Sequence, residues 1–310
     1  MQEHHTKNGA QALDSTAPTL PEYAAHDPDC VLAPGLFRSL PLGKDARKHR
    51  LEVNYVAGKR RVQFLSPDLL GVDDMRALQG LMAISMGWEK EDWLKIDEPN
   101  GLYGEQLALQ LEAKDAMYNQ IALRVKGSFA SVARALGLDP TSTRVIARLR
   151  ASFRRLAALT VYVEDEHWEG SCALMSHIAW NKTHGGPGSL VCALNPRLAD
   201  MVLYGRSGGG KYVRIDMREV RVLRSSAARL IHQRLCGWID AGKTGKVKLD
   251  TLCGYVWPER VKTTRGMEKR RRTVRRALTE LRNLPRPWTA TEHVRGKFEI
   301  TRPERESDAP

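Results

Sequence analysis

The feature that most constrains the fold is an order of predicted elements that occurs twice along the chain. In each half, the spacing of apolar residues predicts a helix, a strand, a short helix, a long basic helix and a β-ribbon. In the second half these elements are residues 225–239, 246–250, 250–257, 265–284 and the ribbon at 288–303. This is the order of a winged helix, a helix-turn-helix variant whose long helix lies in the major groove of DNA. The duplication therefore predicts an α+β protein with two tandem winged-helix domains.

The first half has the same order, preceded by a hairpin. Residues 51–65 alternate around a turn at Gly58 and Lys59, which predicts two antiparallel strands. The repeated elements are a helix at 73–88, strands at 106–112 and 116–126, a short helix at 128–137, a long basic helix at 142–159 and a ribbon formed by 160–166 and 171–180. Gly137 is predicted to end the short helix.

Composition places the domain boundaries. Residues 1–29 are predicted to form a disordered tail, because the first 25 or so are small and polar without an apolar period, and residues 304–310 are predicted to form another. Residues 205–211 contain three consecutive glycines, which predict a linker. We therefore expect a first winged-helix domain at 30–204 and a second at 205–303.

The long helix of the second half has an apolar side and a cationic side. Four residues at helical spacing predict a face packed against a core: Met267, Val274, Leu278 and Leu281. The opposite face carries four cations: Arg265, Lys269, Arg272 and Arg276. Only Glu268 and Glu280 are acidic, too few to pair these cations at i to i+4 spacing. The net charge is also +13, so we interpret this helix as a polyanion-binding surface.

The candidate DNA-binding residues of the second half extend from this helix to the tip of the ribbon. They are Lys262, Thr264, Arg265, Lys269, Arg270, Arg271, Arg272, Arg275 and Arg276 near or on the helix, with Arg295 and Lys297 on the ribbon. A ribbon with a basic tip is suited to contact phosphates or the minor groove. We therefore expect the second domain to be the principal DNA-reading domain.

The first half has a weaker set of candidates. Arg144, Arg148 and Arg155 form a basic face on its long helix. Its ribbon is acidic at residues 164–166, and like charges there would repel the DNA backbone. We therefore expect auxiliary DNA contact from this domain, together with partner contact or dimerisation. Residues 88–99 are acidic with two tryptophans, and they either dock a second protomer or a helicase or form an ordinary loop.

Other motifs do not support catalysis, a cofactor or a metal. Residues 237–244 (GWIDAGKT) match the phosphate-binding loop pattern, but that loop follows a strand and opens a helix, the reverse of the order predicted here. The histidines lack metal-ligand spacing, and five scattered cysteines predict reduced, buried thiols. No apolar run approaches the roughly 18 residues of a membrane span and no secretion signal is recognisable, so we expect a cytoplasmic protein without membrane contact.

Specific strings of the chain resemble a known family. The run LIHQRLCGWIDAGKTGKVKLDTLCGYVWP, with HDPDCVLAPGLFR, GVDDMRALQGLMA, ALNPRLADMV, VRIDMREVRVL and GKFEITRP, closely resembles the IncQ-type plasmid replication initiators of the replication protein C family. The resemblance extends from about His26 to Pro303. It implies a protein that binds directly repeated sequences (iterons) at the origin, opens adjacent AT-rich DNA and lets a separate plasmid-encoded helicase and primase load. It also implies that this chain has no catalytic activity.

Two other functions compete with replication initiation. A transcriptional repressor of the winged-helix type would carry the same DNA-binding features. A nucleotide-hydrolysing helicase loader would instead use Gly237 to Thr244 as a phosphate-binding loop.

Overall fold

The computed structural model of the protein describes residues 20–305 except 42, 44–45, 88–91, 101–102, 118–119 and 180–188, and it has a mixed α+β fold. The elements up to the glycine-rich segment are β1 (Tyr23–His26), α1 (Pro28–Leu32), β2 (Phe37–Arg38), β3 (Leu51–Ala57), β4 (Arg60–Ser66), β5 (Leu70–Gly71), α2 (Val72–Ser85), β6 (Trp93–Lys95), α3 (Gly104–Leu111), β7 (Lys114–Asp115), β8 (Ile121–Ser128), α4 (Phe129–Ala135), α5 (Thr143–Ala157), β9 (Thr160–Glu164), β10 (Glu169–Ala173), β11 (Met175–Ala179), β12 (Ser189–Leu194) and α6 (Pro196–Ser207). The elements after it are β13 (Val213–Asp216), α7 (Met217–Val222), α8 (Ser226–Trp238), β14 (Thr244–Lys248), α9 (Leu249–Val256), α10 (Thr264–Arg282), β15 (Thr289–Val294) and β16 (Lys297–Thr301).

The second half forms the elements that its sequence predicts. Helices α8, α9 and α10 pack against one another, and β14, β16 and β15 form an antiparallel sheet in that order. The ribbon turns at Gly296, whose φ of 79° lies in the left-handed region that favours glycine. Val274, Leu278 and Leu281 are buried, as the helical spacing predicts, because they pack into the core between the three helices.

The first half contains a related group of three helices, with larger sheets around it. Helices α2, α4 and α5 pack against one another, and α4 is followed by Gly137 at a φ of 66°, as predicted. The hairpin β3–β4 is confirmed, but it joins the predicted ribbon in one five-stranded sheet ordered β3-β4-β9-β10-β7. The predicted ribbon strand at 171–180 is divided, because β10 ends at Ala173 and β11 belongs to the sheet β11-β12-β8-β6.

One element of the first half was predicted with the wrong type. Residues 106–112 were predicted to form a strand, but most of them belong to the helix α3. Leu107 and Leu111 are buried and four residues apart, which places them on the same side of a helix. The run of alternating residues therefore fits both periods, and in the structure it forms a helix that packs against β11.

The predicted tail and linker also differ from the structure. Residues 1–19 lie outside the described residues, but 23–32 form β1 and α1, and Ala24, Ala25 and Asp29 are buried. The tail prediction is therefore wrong for residues 23–29. Sequence patterns missed this order because β1 is short and its pairing partner β13 is far away in sequence. The predicted linker begins inside α6, and only 208–212 lack regular structure. In the predicted C-terminal tail, residues 304–305 have no regular structure. Residues 306–310 lie outside the described residues.

The two halves share one continuous core. A single cluster of buried apolar side chains extends from Ala24 to Ile300, and the buried Gln79 side chain of α2 donates a hydrogen bond to Gln233 of α8 (2.8 Å). All five cysteines are unpaired and buried, in agreement with the sequence prediction. Among the described residues, no helix is long and apolar enough to cross a membrane.

Candidate nucleic-acid interface

Helix α10 is the longest helix of the described chain and presents the main candidate surface. Thr263 caps its N-terminus with a side chain that accepts a hydrogen bond from the Gly266 amide (3.1 Å). The buried residues of the helix form one stripe, and the long side chains on the other side face solvent. This amphipathic arrangement fixes which cations are free to meet a ligand.

The four cations predicted to line the outer face do so. Arg265, Lys269, Arg272 and Arg276 are exposed, and none of their side chains has a hydrogen bond or ion pair with another described residue. Lys262 and Thr264, at the start of the helix, are exposed as well. The spacing of four, three and four residues spreads the four charges over about 16 Å of helix. We call these four residues the α10 cationic face.

The other three arginines predicted for this helix are engaged inside the protein. Arg270 lies 5.4 Å from the centre of the Trp257 ring and donates to the Glu259 carbonyl (2.6 Å). Arg271 donates to both carboxylate oxygens of Asp250 (2.7 and 2.8 Å) and to Glu268 (2.8 Å). These contacts hold α10 against α9 and against the segment that joins them.

Arg275 connects α10 to the ribbon. Its guanidinium donates to Glu292 of β15 (2.9 Å), and the same carboxylate accepts from the Gly296 amide (2.6 Å) at the tip. The Arg275 hydrogen bond and the Gly296 amide lower the pKa of Glu292, so it stays ionised and keeps the tip in place. Arg270, Arg271 and Arg275 therefore position α10 and the ribbon, whereas the side chains of the α10 cationic face are available to contact a ligand.

The three-stranded sheet adds cations that the sequence prediction missed. Arg295 and Lys297, which were predicted, are exposed at the ribbon tip. Lys246, Lys248 and His293 were not predicted, and with Lys297 they line an open groove across the sheet. The alternation of β14 contained the signal, because Lys246 and Lys248 flank the buried Val247 and therefore share the opposite face. Part of this charge is balanced by Glu299, 3.6 Å from Lys246 and 3.4 Å from His293.

In the first half the three predicted arginines separate into two groups. Arg144 and Arg148 are exposed on α5. Arg155 instead donates through Nε and Nη2 to Asp74 of α2 (2.9 and 2.7 Å), and Asp74 is fully buried. Asp74 also accepts from Arg47 (2.6 Å) and from the Gly71 amide (2.7 Å). The assignment of Arg155 to a solvent-facing basic surface is therefore wrong, because α2 covers that part of α5.

Replacing Arg155 with alanine should destabilise the protein without changing the salt dependence of its DNA binding. The loss of two charge-assisted hydrogen bonds to a buried carboxylate is expected to cost about 1–3 kcal/mol of unfolding free energy. The matched variant Arg148→Ala removes an exposed arginine of the same helix and should change stability by less than about 0.5 kcal/mol. Urea denaturation measures both values. A stable Arg155→Ala protein with a reduced salt dependence of DNA binding would contradict the structural assignment.

The phosphate-loop pattern at 237–244 lies where helix α8 leads into strand β14, as the sequence predicts. Its backbone amides already have partners, since the Gly242 amide donates to the Arg302 carbonyl (3.1 Å) and the Lys243 amide to the Asp240 carbonyl (3.0 Å). A phosphate loop needs such amides unpaired and at the start of a helix. This segment is therefore a closed turn in the described structure.

A buried polar cluster lies beneath the second half. His232 contacts the Glu219 carboxylate through Nε2 (2.5 Å), Cys236 lies 3.5 Å from the same nitrogen, and the Trp288 indole donates to Glu219 (3.3 Å). Burial alone would lower the pKa of His232, but Cys236 and Glu219 outweigh it and raise this pKa to about 10. Among the described residues, Glu219, His232 and Cys236 form the one group of three side chains whose ligand atoms lie close enough together to hold a metal ion. The ion pair and the indole hydrogen bond already engage Glu219 and His232, so we interpret the cluster as structural.

Comparisons with known proteins identify relatives of this architecture. A family model described as Replication protein C (RepC) matches residues 20–304. The crystal structure of a selenomethionine form of domains 2 and 3 of RctB has a TM-score of 0.54 at 9% identity, covering 88% of this chain and 96% of that chain. A second RctB structure, of residues 155–483, has a TM-score of 0.49 at 11% identity, covering 88% of this chain and 95% of that one. A search of curated proteins found no significant match.

Proposed function

Because the chain belongs to the replication protein C (RepC) family, we propose that it initiates plasmid replication by binding directly repeated DNA at the origin. Binding would place the protein beside AT-rich DNA, which it helps to open before a separate helicase and primase load. In this proposal the protein performs no catalytic chemistry and needs no cofactor. DNA and the two replication enzymes are its partners.

The observation that carries this proposal is the α10 cationic face. Four exposed cations whose side chains have no partner among the described residues repel one another, and a bound polyanion would relieve that repulsion. They lie on a helix of the size that enters a major groove, and the ribbon with Arg295 and Lys297 begins a few residues after it ends. The arrangement fits a winged helix in which α10 contacts the bases and the ribbon contacts the backbone.

We further propose that both halves are winged helices with different roles. The α8–α9–α10 group with its three-stranded sheet would read the repeat. The α2–α4–α5 group would add backbone contacts through Arg144 and Arg148, and would contact a second copy or a partner protein. What supports this division is charge, because the β9–β10 hairpin carries Glu164, Asp165 and Glu166 where the second ribbon carries cations.

Origin opening distinguishes an initiator from a repressor that binds the same repeats. The experiment treats supercoiled plasmid carrying the origin with permanganate, which oxidises thymines that are no longer stacked in a duplex. An initiator is expected to make thymines beside the repeats reactive when it is added alone, without nucleotide. Protection of the repeats with no reactive thymines would support the repressor instead.

Lys243 provides a separate test of the helicase-loader alternative. Because Lys243 lies in an exposed turn whose amides are occupied, Lys243→Ala should leave DNA binding within about twofold of the unchanged protein. Neither protein should bind ATP, which isothermal titration calorimetry can measure. ATP binding that disappears in Lys243→Ala would favour a nucleotide-binding loader.

A further inference from the structure

The N-terminal segment 20–33, which we call the strap, joins elements of both halves. Its strand β1 pairs antiparallel with β13, from Tyr23 opposite Asp216 to His26 opposite Val213. Before that strand, the Glu22 carbonyl accepts from the Met217 amide (2.8 Å) and the Pro21 carbonyl accepts from Arg221 (2.5 Å). These contacts attach the strap to the start of the second half.

Two buried carboxylates attach the strap to the first half. Asp27 accepts from Arg197 Nε and Nη2 (2.9 and 2.8 Å), and Asp29 accepts from Arg197 (2.6 Å) and from Arg60 (2.8 Å). Arg197 lies at the start of α6 and Arg60 at the start of β4. Because Asp27 and Asp29 are both almost fully buried, these ion pairs are shielded from solvent and need a well-defined geometry.

Two helical glycines let the strap pack directly against both halves. A Cβ on Gly205 of α6 would lie 2.7 Å from the Ala25 Cβ, and a Cβ on Gly237 of α8 would lie 2.6 Å from Val31 Cγ1. Real Cβ atoms do not approach this closely, so alanine at either position requires the strap and the helix to move apart. By contrast, a Cβ on Gly254 of α9 would meet nothing within 4 Å.

From these contacts we infer that the strap is a positioning element that fixes the α10 cationic face relative to the Arg144 and Arg148 face. The glycine-rich segment 208–212, which is the covalent connection between the halves, does not by itself fix their relative orientation. The strap adds its ion pairs and strand pairing to the direct contacts between the halves, such as the Gln79–Gln233 hydrogen bond and the hydrogen bond from Arg221 to the Ala135 carbonyl. With the strap docked, the protein accepts one spacing between the two DNA segments that it contacts. The inference rests on the proposed function in one respect, namely that both halves contact one duplex.

The spacing requirement is tested with Gly205→Ala and Gly237→Ala, each of which displaces the strap from one half, and with Gly254→Ala as the matched control. Footprinting first locates the two contacted segments, and then base pairs are inserted between them. The unchanged protein and Gly254→Ala should lose about tenfold or more in affinity after an insertion of two to four base pairs, because the second contact is lost. The strap variants should lose less than about threefold, because a displaced strap couples the two halves less tightly and lets each half follow its segment. Equal sensitivity to insertion in all four proteins would overturn the inference.

A second measurement on the same proteins needs no DNA. Spin labels attached to cysteines substituted for Arg144 and Lys269 report the distance between the two faces. The five native cysteines are buried, which shields them from the labelling reagent. The distance distribution should be narrow in the unchanged protein and in Gly254→Ala, and broad in either strap variant. Narrow distributions in both strap variants would contradict a positioning role. If no protein binds the repeats, the proposed function fails, while the distance measurement still decides whether the strap orients the halves.

Discussion

Replacing Lys269, Arg272 and Arg276 together with alanine is expected to reduce the affinity for the origin repeats by at least about 100-fold. Each side chain that contacts a phosphate releases counterions, so the slope of log affinity against log salt should fall by about 0.9 per contact. A residue bidentate to guanine should in addition contribute about 1–3 kcal/mol of base discrimination. Because all three side chains are exposed, the unfolding free energy should change by no more than about 0.5 kcal/mol per residue.

The matched control removes the same charge from another surface. Lys59, Arg61 and Lys95 are exposed in the first half and pair with Glu166, Glu164 and Glu98. Their triple alanine variant should bind the repeats within a few-fold of the unchanged protein. If the two triple variants lost affinity equally, net charge and not the α10 cationic face would account for binding.

Replacing Glu219 with alanine is expected to lower the unfolding free energy by about 3–5 kcal/mol, because it leaves the buried His232 without its counter-charge. It also removes the hydrogen-bond acceptor of the buried Trp288 indole. Glu219→Gln keeps an acceptor of similar size, so it should cost less than alanine. Guanidinium denaturation at pH 7 measures both variants. A loss below about 1 kcal/mol in Glu219→Ala would contradict the structural role of the buried cluster.

The pH dependence of stability provides the control for this interpretation. The folded-state pKa of His232 is raised from 6.5 to about 10, so the folded protein binds this proton more tightly than the unfolded chain does. The contribution to stability is therefore fully present below about pH 6.5 and is lost as the pH rises towards 10. Removing Glu219 should make the unfolding free energy depend less steeply on pH over this interval.

Local patterns were sufficient to predict most of the second half from sequence. Helix α10 and strand β14 both follow a regular apolar period, and each of them buries the residues that its period predicts. Residues 106–112 fitted a strand as well as a helix, because a short apolar run does not distinguish them. The strap was missed because nothing local in a four-residue strand shows that its partner lies about 190 residues away.

The roles of individual arginines depended on partners distant in sequence. Arg155 appeared equivalent to Arg148 on a helical wheel, but Asp74 of α2 engages it. Arg275 is likewise engaged by Glu292 of the ribbon, which a pattern within α10 does not reveal. The sequence therefore predicted the α10 cationic face, whereas the side chains that position it could be identified only from the tertiary structure.

Hydroxyl-radical footprinting of the intact protein on its own plasmid origin tests the central claim most directly. We predict protection that recurs once per repeat, is absent from a scrambled origin of the same composition, and disappears in the variant lacking Lys269, Arg272 and Arg276. Protection that is uniform along the DNA, or that remains unchanged in that variant, would contradict the account of α10 as the element that reads the repeats.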